Sequence, residues 1–193
     1  MHSYSIDREE RNYVIVFLFI VSILLSLGFY KLFNYYQIVL PWWFESPSVL
    51  FFYGLLFAVF DKWLWKLFRK MHFLKTPNLS GEWDGYLKSS FDNHSAEIKA
   101  TLQVSQTWTR IKILLTTTES KSHSEAASII VEDPEGCYLS YQYFNEPVSS
   151  SKKTMSIHRG TTRLFLKDQS NILSGEYYSG RDRQNFGSLY FKR

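Results

Sequence analysis

Two apolar runs dominate the first third of the chain, and an alternating pattern replaces them further on. The runs cover residues 14–30 (VIVFLFIVSILLSLGFY) and 46–60 (SPSVLFFYGLLFAVF). A bilayer core about 30 Å thick requires about 20 mostly apolar helical residues. The first run is close to this length, and the second reaches it with the aromatic residues that follow. The pattern predicts two transmembrane helices, about 12–33 and 47–68, in an anchor of residues 1–75.

Basic residues cluster at the two ends of this anchor and not in the loop between the helices. They are Arg8, Arg11, Lys62, Lys66, Arg69, Lys70 and Lys75. Because Lys and Arg favour the cytoplasmic side of short flanking segments, a two-pass protein with both termini in the cytoplasm is expected. The length of the first run and the lack of a small-residue cleavage site after it favour a retained helix over a signal peptide.

From residue 76 onward the hydrophobic pattern has a period of two, which is typical of strands with unlike faces. Polar turns divide it into eight segments, at about 82–91, 98–104, 108–118, 122–132, 137–145, 154–167, 172–179 and 186–193. Closure would leave no exposed sheet edge, so we expect a minimal eight-stranded antiparallel up-and-down β-barrel over residues 76–193. A β-sandwich is the alternative architecture. Gly160 predicts a bulge or bend in the sixth strand.

Charge and composition narrow the function classes. The formal net charge of +4 lies mainly on the flanks of the apolar runs, which leaves residues 76–193 nearly neutral. No basic face for a DNA or RNA polymer is therefore expected. The single Cys137 permits no internal disulfide. The chain contains none of the motifs HExxH, CxxC, GxSxG, GxGxxG or a Walker loop, and its histidines lack metal-ligand spacing. We therefore predict neither an enzyme nor a bound cofactor or metal.

Polar and aromatic side chains near the strand ends are the candidates for ligand binding. Aromatic rings stack on bases and Arg binds phosphate, so the set suits a nucleotide-sized ligand. The candidates are Trp108, Tyr141, Tyr143, Asn145, His158, Arg159, Tyr177, Arg181 and Arg183. In the alternative interpretation, the tyrosines are cross-strand packing and the arginines are solvated turn residues.

Three of these segments carry a family resemblance. They are 141–147 (YQYFNEP), 158–161 (HRGT) and 175–183 (GEYYSGRDR) followed by Gly187. With the LSGEW opening at 79–83 and the predicted helices, the chain resembles the membrane-anchored β-barrel effectors of bacterial CBASS anti-phage defence, of the CD-NTase-associated protein fifteen type.

The resemblance implies a receptor for a cyclic dinucleotide made by a partner nucleotidyltransferase during infection. Ligand binding would drive homo-oligomerisation, and the clustered helices would act on membrane lipid, disrupt the bacterial inner membrane and kill the cell, as in abortive infection. Three alternatives remain open. An enzyme would turn over a nucleotide or an ester and would lose this activity when His158 is replaced by Ala. A lipocalin-like barrel that binds a lipid would have an apolar interior, and a structural membrane anchor would bind no ligand.

Overall fold

The structure is a computed structural model that describes residues 1–38, 48–148, 155–167, 171–180 and 184–193. It divides into two compact units. The helical unit comprises Arg8–Leu74, and the sheet unit comprises Met1–Asp7 together with Lys75–Arg193. The pattern of hydrophobic residues placed residues 1–7 with the helices, whereas in the structure they group with the sheet.

The helical unit begins with α1, Glu10–Tyr35, a helix of 26 residues. No charged residue lies between Arg11 and Lys31, so 19 consecutive uncharged residues (12–30) form its centre. Over the described ranges, α1 is the one helix that is long and apolar enough to cross a membrane. This agrees with the first predicted span.

The second predicted span is divided into three consecutive helical segments. These are α2 at Ser48–Val59, a π-helical turn at Phe60–Leu64, and α3 at Trp65–Lys70. The π-helical turn contains Asp61 and Lys62, which interrupt the apolar run. The prediction of a second continuous transmembrane helix at 47–68 is therefore not confirmed. Edge-to-face aromatic pairs hold α1 and α2 together, including Phe29 and Phe52 with ring centroids 5.6 Å apart.

The sheet unit is a closed barrel of nine strands. The strands are β1 His2–Ile6, β2 Gly81–Ser89, β3 Ile98–Gln106, β4 Arg110–Thr117, β5 Ser120–Ile130, β6 Tyr138–Pro147, β7 His158–Lys167, β8 Ile172–Ser179 and β9 Phe186–Lys192. Strands β2 to β9 pair antiparallel in sequence order, and β2 pairs with β9. The expected eight-stranded up-and-down barrel is wrong in strand number, because β1 is an additional strand.

Strand β1 fills a gap where β4 and β5 diverge. These two strands pair over only three positions, Leu114–Thr116 with Lys121–His123. Beyond them, β1 runs antiparallel to β4 and parallel to β5, so it is the one parallel partner in the described sheet. Without β1, the diverging backbones would present unpaired amide and carbonyl groups, which are costly when buried.

Two side chains fix β1 and the residue after it. Tyr4 is buried in the barrel core and its hydroxyl donates to the Trp108 carbonyl at 3.0 Å. The Asp7 carboxylate accepts the backbone N–H groups of Val131 and Glu132, at 2.9 and 2.8 Å. The strand is therefore tied to the barrel by packing and by hydrogen bonds at its end.

The barrel interior changes from apolar to polar along its axis. One end is filled by large apolar side chains, among them Leu79, Trp83, Leu102, Ile111, Ile113, Leu139, Leu164, Leu173 and Phe191. The Trp83 indole there donates to the Leu79 carbonyl at 3.0 Å. Toward the other end the inward positions become Ser89, Ser120, Ser122, Asn145, His158 and Thr162. The first end is closed by packing, whereas the second offers hydrogen-bonding groups.

The bulge expected at Gly160 is absent, because β7 pairs regularly through this residue with both neighbours. The described irregularity lies in β5, where the register with β6 shifts between Ser124 and Ala126. Close packing, and not a bulge, explains why residue 160 is a glycine. A Cβ at this position would collide with the Tyr178 carbonyl oxygen and with the Tyr143 ring, so only glycine fits here.

Candidate ligand-binding site

A cavity of about 330 Å³ occupies the polar end of the barrel. Its volume is near the lower limit for small-molecule sites, which is about 300 Å³. Several strands supply its wall, among them the ends of β2, β4, β6 and β8 and the beginnings of β3, β5 and β7. In an antiparallel barrel these ends and beginnings meet at the same rim, so residues distant in sequence surround one cavity.

One wall of the cavity is a polar chain across β5, β6 and β7. The Ser122 hydroxyl donates to Asn145 Oδ1 at 2.7 Å. The Asn145 amide nitrogen lies 3.3 Å from the Met155 sulfur. Beside it, His158 Nδ1 lies 2.9 Å from the Ser156 carbonyl oxygen, so this carbonyl places the proton on Nδ1 when the imidazole is neutral.

Two tyrosines supply aromatic surface to the cavity, together with the exposed ring of Phe91. Tyr143, on β6, is mostly buried and meets the His158 ring edge to face, with centroids 6.3 Å apart. Tyr177, on β8, is half-buried and also lines the cavity. Rings of this kind at a ligand-sized opening can stack on a planar group such as a nucleobase.

Tyr141 lies below these rings on the same face of β6. It is 3% exposed and its ring centroid is 6.4 Å from that of Tyr143. Within the described part of the chain, its hydroxyl forms no hydrogen bond of good geometry, and the Thr162 hydroxyl is its polar neighbour. Burial raises the pKa of this phenol far above its usual value, and the neighbouring Thr162 hydroxyl opposes the rise only in part. Tyr141 therefore keeps its proton and remains a donor.

Several other candidates from the sequence lie elsewhere. Trp108 is buried just before β4 begins, at the filled end of the barrel, where its carbonyl accepts from Tyr4. Arg159 lies on the outer surface, where it pairs with Glu125 at 3.2 Å. Arg181 and Arg183 lie outside the described residues. The structure thus brings together Tyr143, Asn145, His158 and Tyr177, with Tyr141 beneath them.

Sequence reasoning missed part of the cavity wall. Two acidic residues, Asp92 and Glu119, line it, as do Leu87, Leu115 and Leu189. The leucines could have been predicted, because the alternation of each strand places them on the inward face near the open rim. The acidic residues lie in the connections after β2 and β4, where alternation gives no information on direction.

These features define a class of protein. A closed barrel with one packed end and one open polar end is a small-ligand receptor fold, and here it shares a chain with a helix long enough to cross a membrane. Residues 74–193 match the family model of the Cap15 cyclic dinucleotide receptor domain. The chain belongs to this family, and the resemblance to CBASS effectors of the CD-NTase-associated protein fifteen type is confirmed.

Two relatives support the assignment. The chain is 33% identical over 140 residues to CD-NTase-associated protein 15 of Yersinia aleksiciae, a match that covers 72% of this chain and 65% of the relative. It is 35% identical over 131 residues to the protein of the same name from Staphylococcus schleiferi, which covers 68% of each chain. The matches thus span about two thirds of these relatives.

Proposed function

We propose that this protein is a CBASS effector whose barrel binds a cyclic dinucleotide in the cavity at its polar end. The family match covers the barrel strands β2 to β9. The cavity offers the rings of Phe91, Tyr143 and Tyr177 for base stacking and a set of hydroxyl, amide and imidazole groups for hydrogen bonding. A cyclic dinucleotide, made by a partner nucleotidyltransferase, presents both kinds of complementary surface.

The observation that carries this proposal is the change from apolar to polar side chains inside the barrel. A barrel that binds a lipid would have an apolar lining throughout, whereas here leucines and polar groups share the lining of the cavity. Here Ser122, Asn145, His158 and Thr162 point inward at the open end. Burying such groups against an acyl chain would leave them without hydrogen bonds, which costs free energy. The lining therefore favours a polar, aromatic ligand over a lipid.

The phosphates of the ligand are assigned to the rim. Ser179 and Asn185, which flank residues 180–184 in sequence, both line the cavity. We therefore retain Arg181 and Arg183 as the phosphate-binding residues within this proposal. Guanidinium groups pair well with phosphate oxygens because their donors are planar and parallel.

The helical unit is the proposed effector. In this part of the proposal, α1 and the helical segments at Ser48–Lys70 form a two-pass anchor in the bacterial inner membrane, with both termini in the cytoplasm. Ligand binding favours an assembly of several copies, whose helices then disrupt the membrane and kill the infected cell. A ligand shifts this assembly only by the difference in its affinity for the two states.

A ligand panel tests the binding function. The full chain in detergent is heated with cyclic di-GMP, cyclic GMP–AMP, cyclic di-AMP and the corresponding linear dinucleotides. At a ligand concentration of about 100 times Kd, linkage predicts about 2.7 kcal/mol of stabilisation, so the Tm of the barrel rises clearly with at least one cyclic ligand. An unchanged Tm with every cyclic ligand would contradict the proposal and would leave the structural-anchor alternative.

A matched pair of variants localises the binding. Asn145→Ala removes an amide from the cavity wall and should weaken binding. Gln142→Ala removes an amide of similar size from an exposed position on the same strand and should leave binding unchanged. Equal effects of the two substitutions would show that the ligand binds elsewhere. A rise in Tm with fatty acids but not with nucleotides would favour the lipid-binding alternative.

A further inference from the structure

The carboxylates of the cavity wall indicate which base the ligand contains. This inference rests on the proposed function. Among the described residues that line the cavity, Asp92 and Glu119 are acidic and none is Lys or Arg. A phosphate placed against these carboxylates would be repelled. The part of a nucleotide that suits them is a base edge with N–H donors.

Asp92 is held in a defined position by the connection after β2. It ends a short 3₁₀ turn, Ser90–Asp92. Its Oδ2 accepts the backbone N–H of Ala96 at 3.1 Å, and its own carbonyl accepts the Ser95 hydroxyl at 2.7 Å. The N–H of Phe91 donates to the Ser89 hydroxyl at 3.2 Å, which fixes the start of the turn. The carboxylate is therefore preorganised before a ligand arrives.

The second carboxylate oxygen of Asp92 has no partner in the part of the chain that the structure describes. Oδ1 is shielded from solvent and accepts no hydrogen bond from any described residue. A buried, unsatisfied acceptor is unfavourable, and such groups are rare in folded proteins. Since Asp92 lines the cavity, a small rotation of its carboxylate on ligand binding would bring this oxygen to a donor on the ligand.

We propose that Asp92 determines base specificity by accepting hydrogen bonds from a guanine of the cyclic dinucleotide. Guanine presents two adjacent donors, N1–H and the N2 amino group, and a carboxylate can accept both. Adenine and cytosine place an acceptor nitrogen beside their amino group, and uracil flanks its N–H with two carbonyl oxygens. A carboxylate, which only accepts, is repelled by each of those neighbouring acceptors.

The test measures affinities of the full chain in detergent for cyclic di-GMP, cyclic di-IMP and cyclic di-AMP by calorimetry. Hypoxanthine keeps N1–H and lacks the N2 amino group, so cyclic di-IMP isolates the second donor. Wild type should bind cyclic di-GMP about tenfold or more tightly than cyclic di-AMP, in the range expected for a good bidentate base contact. Cyclic di-IMP should lie between them.

Asp92→Asn is the decisive variant, because Asn keeps an oxygen for the Ala96 N–H but replaces the other acceptor by a donor. It should remove the preference for cyclic di-GMP while leaving the affinity for cyclic di-AMP equal or higher. Glu97→Gln is the control, since this carboxylate is exposed, pairs with Lys88 at 3.2 Å and does not line the cavity. It should leave the preference intact.

The outcomes separate this inference from the function on which it rests. If all three ligands bind with equal affinity, or if Asp92→Asn retains the preference with an unchanged Tm in the absence of ligand, the role of Asp92 is overturned and the receptor function stands. If none of the three ligands binds and the wider panel also fails, both are overturned.

Discussion

Tyr4 and Tyr141 both bury a phenol in the barrel, but only Tyr4 satisfies it. Its hydroxyl donates to the Trp108 carbonyl at 3.0 Å, whereas the Tyr141 hydroxyl has the Thr162 hydroxyl as a neighbour but forms no hydrogen bond of good geometry among the described residues. Removing a satisfied buried hydroxyl leaves the Trp108 carbonyl with one bond fewer. Removing an unsatisfied one relieves the cost of its desolvation. The same substitution should therefore have different effects at the two positions.

We expect Tyr4→Phe to lower the free energy of unfolding by about 1 kcal/mol, and Tyr141→Phe to leave it unchanged or raise it. Urea denaturation of the full chain in detergent, followed by tryptophan fluorescence, measures both. A loss at Tyr141 as large as that at Tyr4 would show that the Tyr141 hydroxyl has a bound partner. If Tyr141→Phe keeps its stability and weakens cyclic dinucleotide binding, the hydroxyl reaches the ligand.

At the scale of the element, β1 is the strand that the hydrophobic pattern of the sequence did not predict. It spans five residues, His2–Ile6, and sits next to a long apolar helix that dominates the local pattern. Alternation over so few residues carries little information, and nothing in it indicates partners more than 100 residues away. The other eight strands were readable because alternation repeats over each one and polar turns separate them.

The contribution of β1 can be measured with two substitutions on the same strand. Tyr4→Ala removes a buried aromatic side chain and should cost about 3 kcal/mol or more of unfolding free energy. Ser5→Ala changes an exposed position of β1 and should have little effect. Chemical denaturation of the full chain measures the difference. Equal, small effects would show that the barrel is stable without β1 seated between β4 and β5.

Strand parity explains which candidate site residues the structure brings together. Odd-numbered strands from β3 on begin at the open rim, and even-numbered strands end there. Asn145 at the end of β6 and His158 at the beginning of β7 therefore meet across the ladder. Trp108 precedes the beginning of β4, so it lies at the opposite end. Arg159 follows His158 directly, so the period of two turns it to the outer face. Sequence reasoning supplied the residue types but did not apply this parity.

At the scale of the whole molecule, the family assignment depends on the barrel, whereas the proposed disruption of the membrane depends on the helices. We expect vesicles that contain the full chain to release an entrapped dye when the cognate cyclic dinucleotide is added. Tyr177→Ala, which removes an aromatic ring from the cavity wall, should shift the ligand concentration needed for release upward by about five- to 150-fold, because stacking on one base contributes about 1–3 kcal/mol.

The matched control for this experiment is Tyr190→Ala, because Tyr190 stacks on Tyr86 with ring centroids 5.5 Å apart and does not line the cavity. It should leave the ligand dependence of release unchanged. Release that occurs without ligand, or that is equally sensitive to ligand in both variants, would contradict the coupling of barrel and helices.

The position of β1 also sets an order of events in time. On the ribosome, residues 2–6 emerge long before β4 and β5, the two strands between which they fit. The hydrogen bond from Tyr4 to Trp108 spans 104 positions. The partners of Asp7, Val131 and Glu132, are synthesised later still. The helical segment is thus synthesised while the barrel is incomplete. A nascent chain cannot complete its barrel until the helical segment has been synthesised, so no complete barrel forms without the helices.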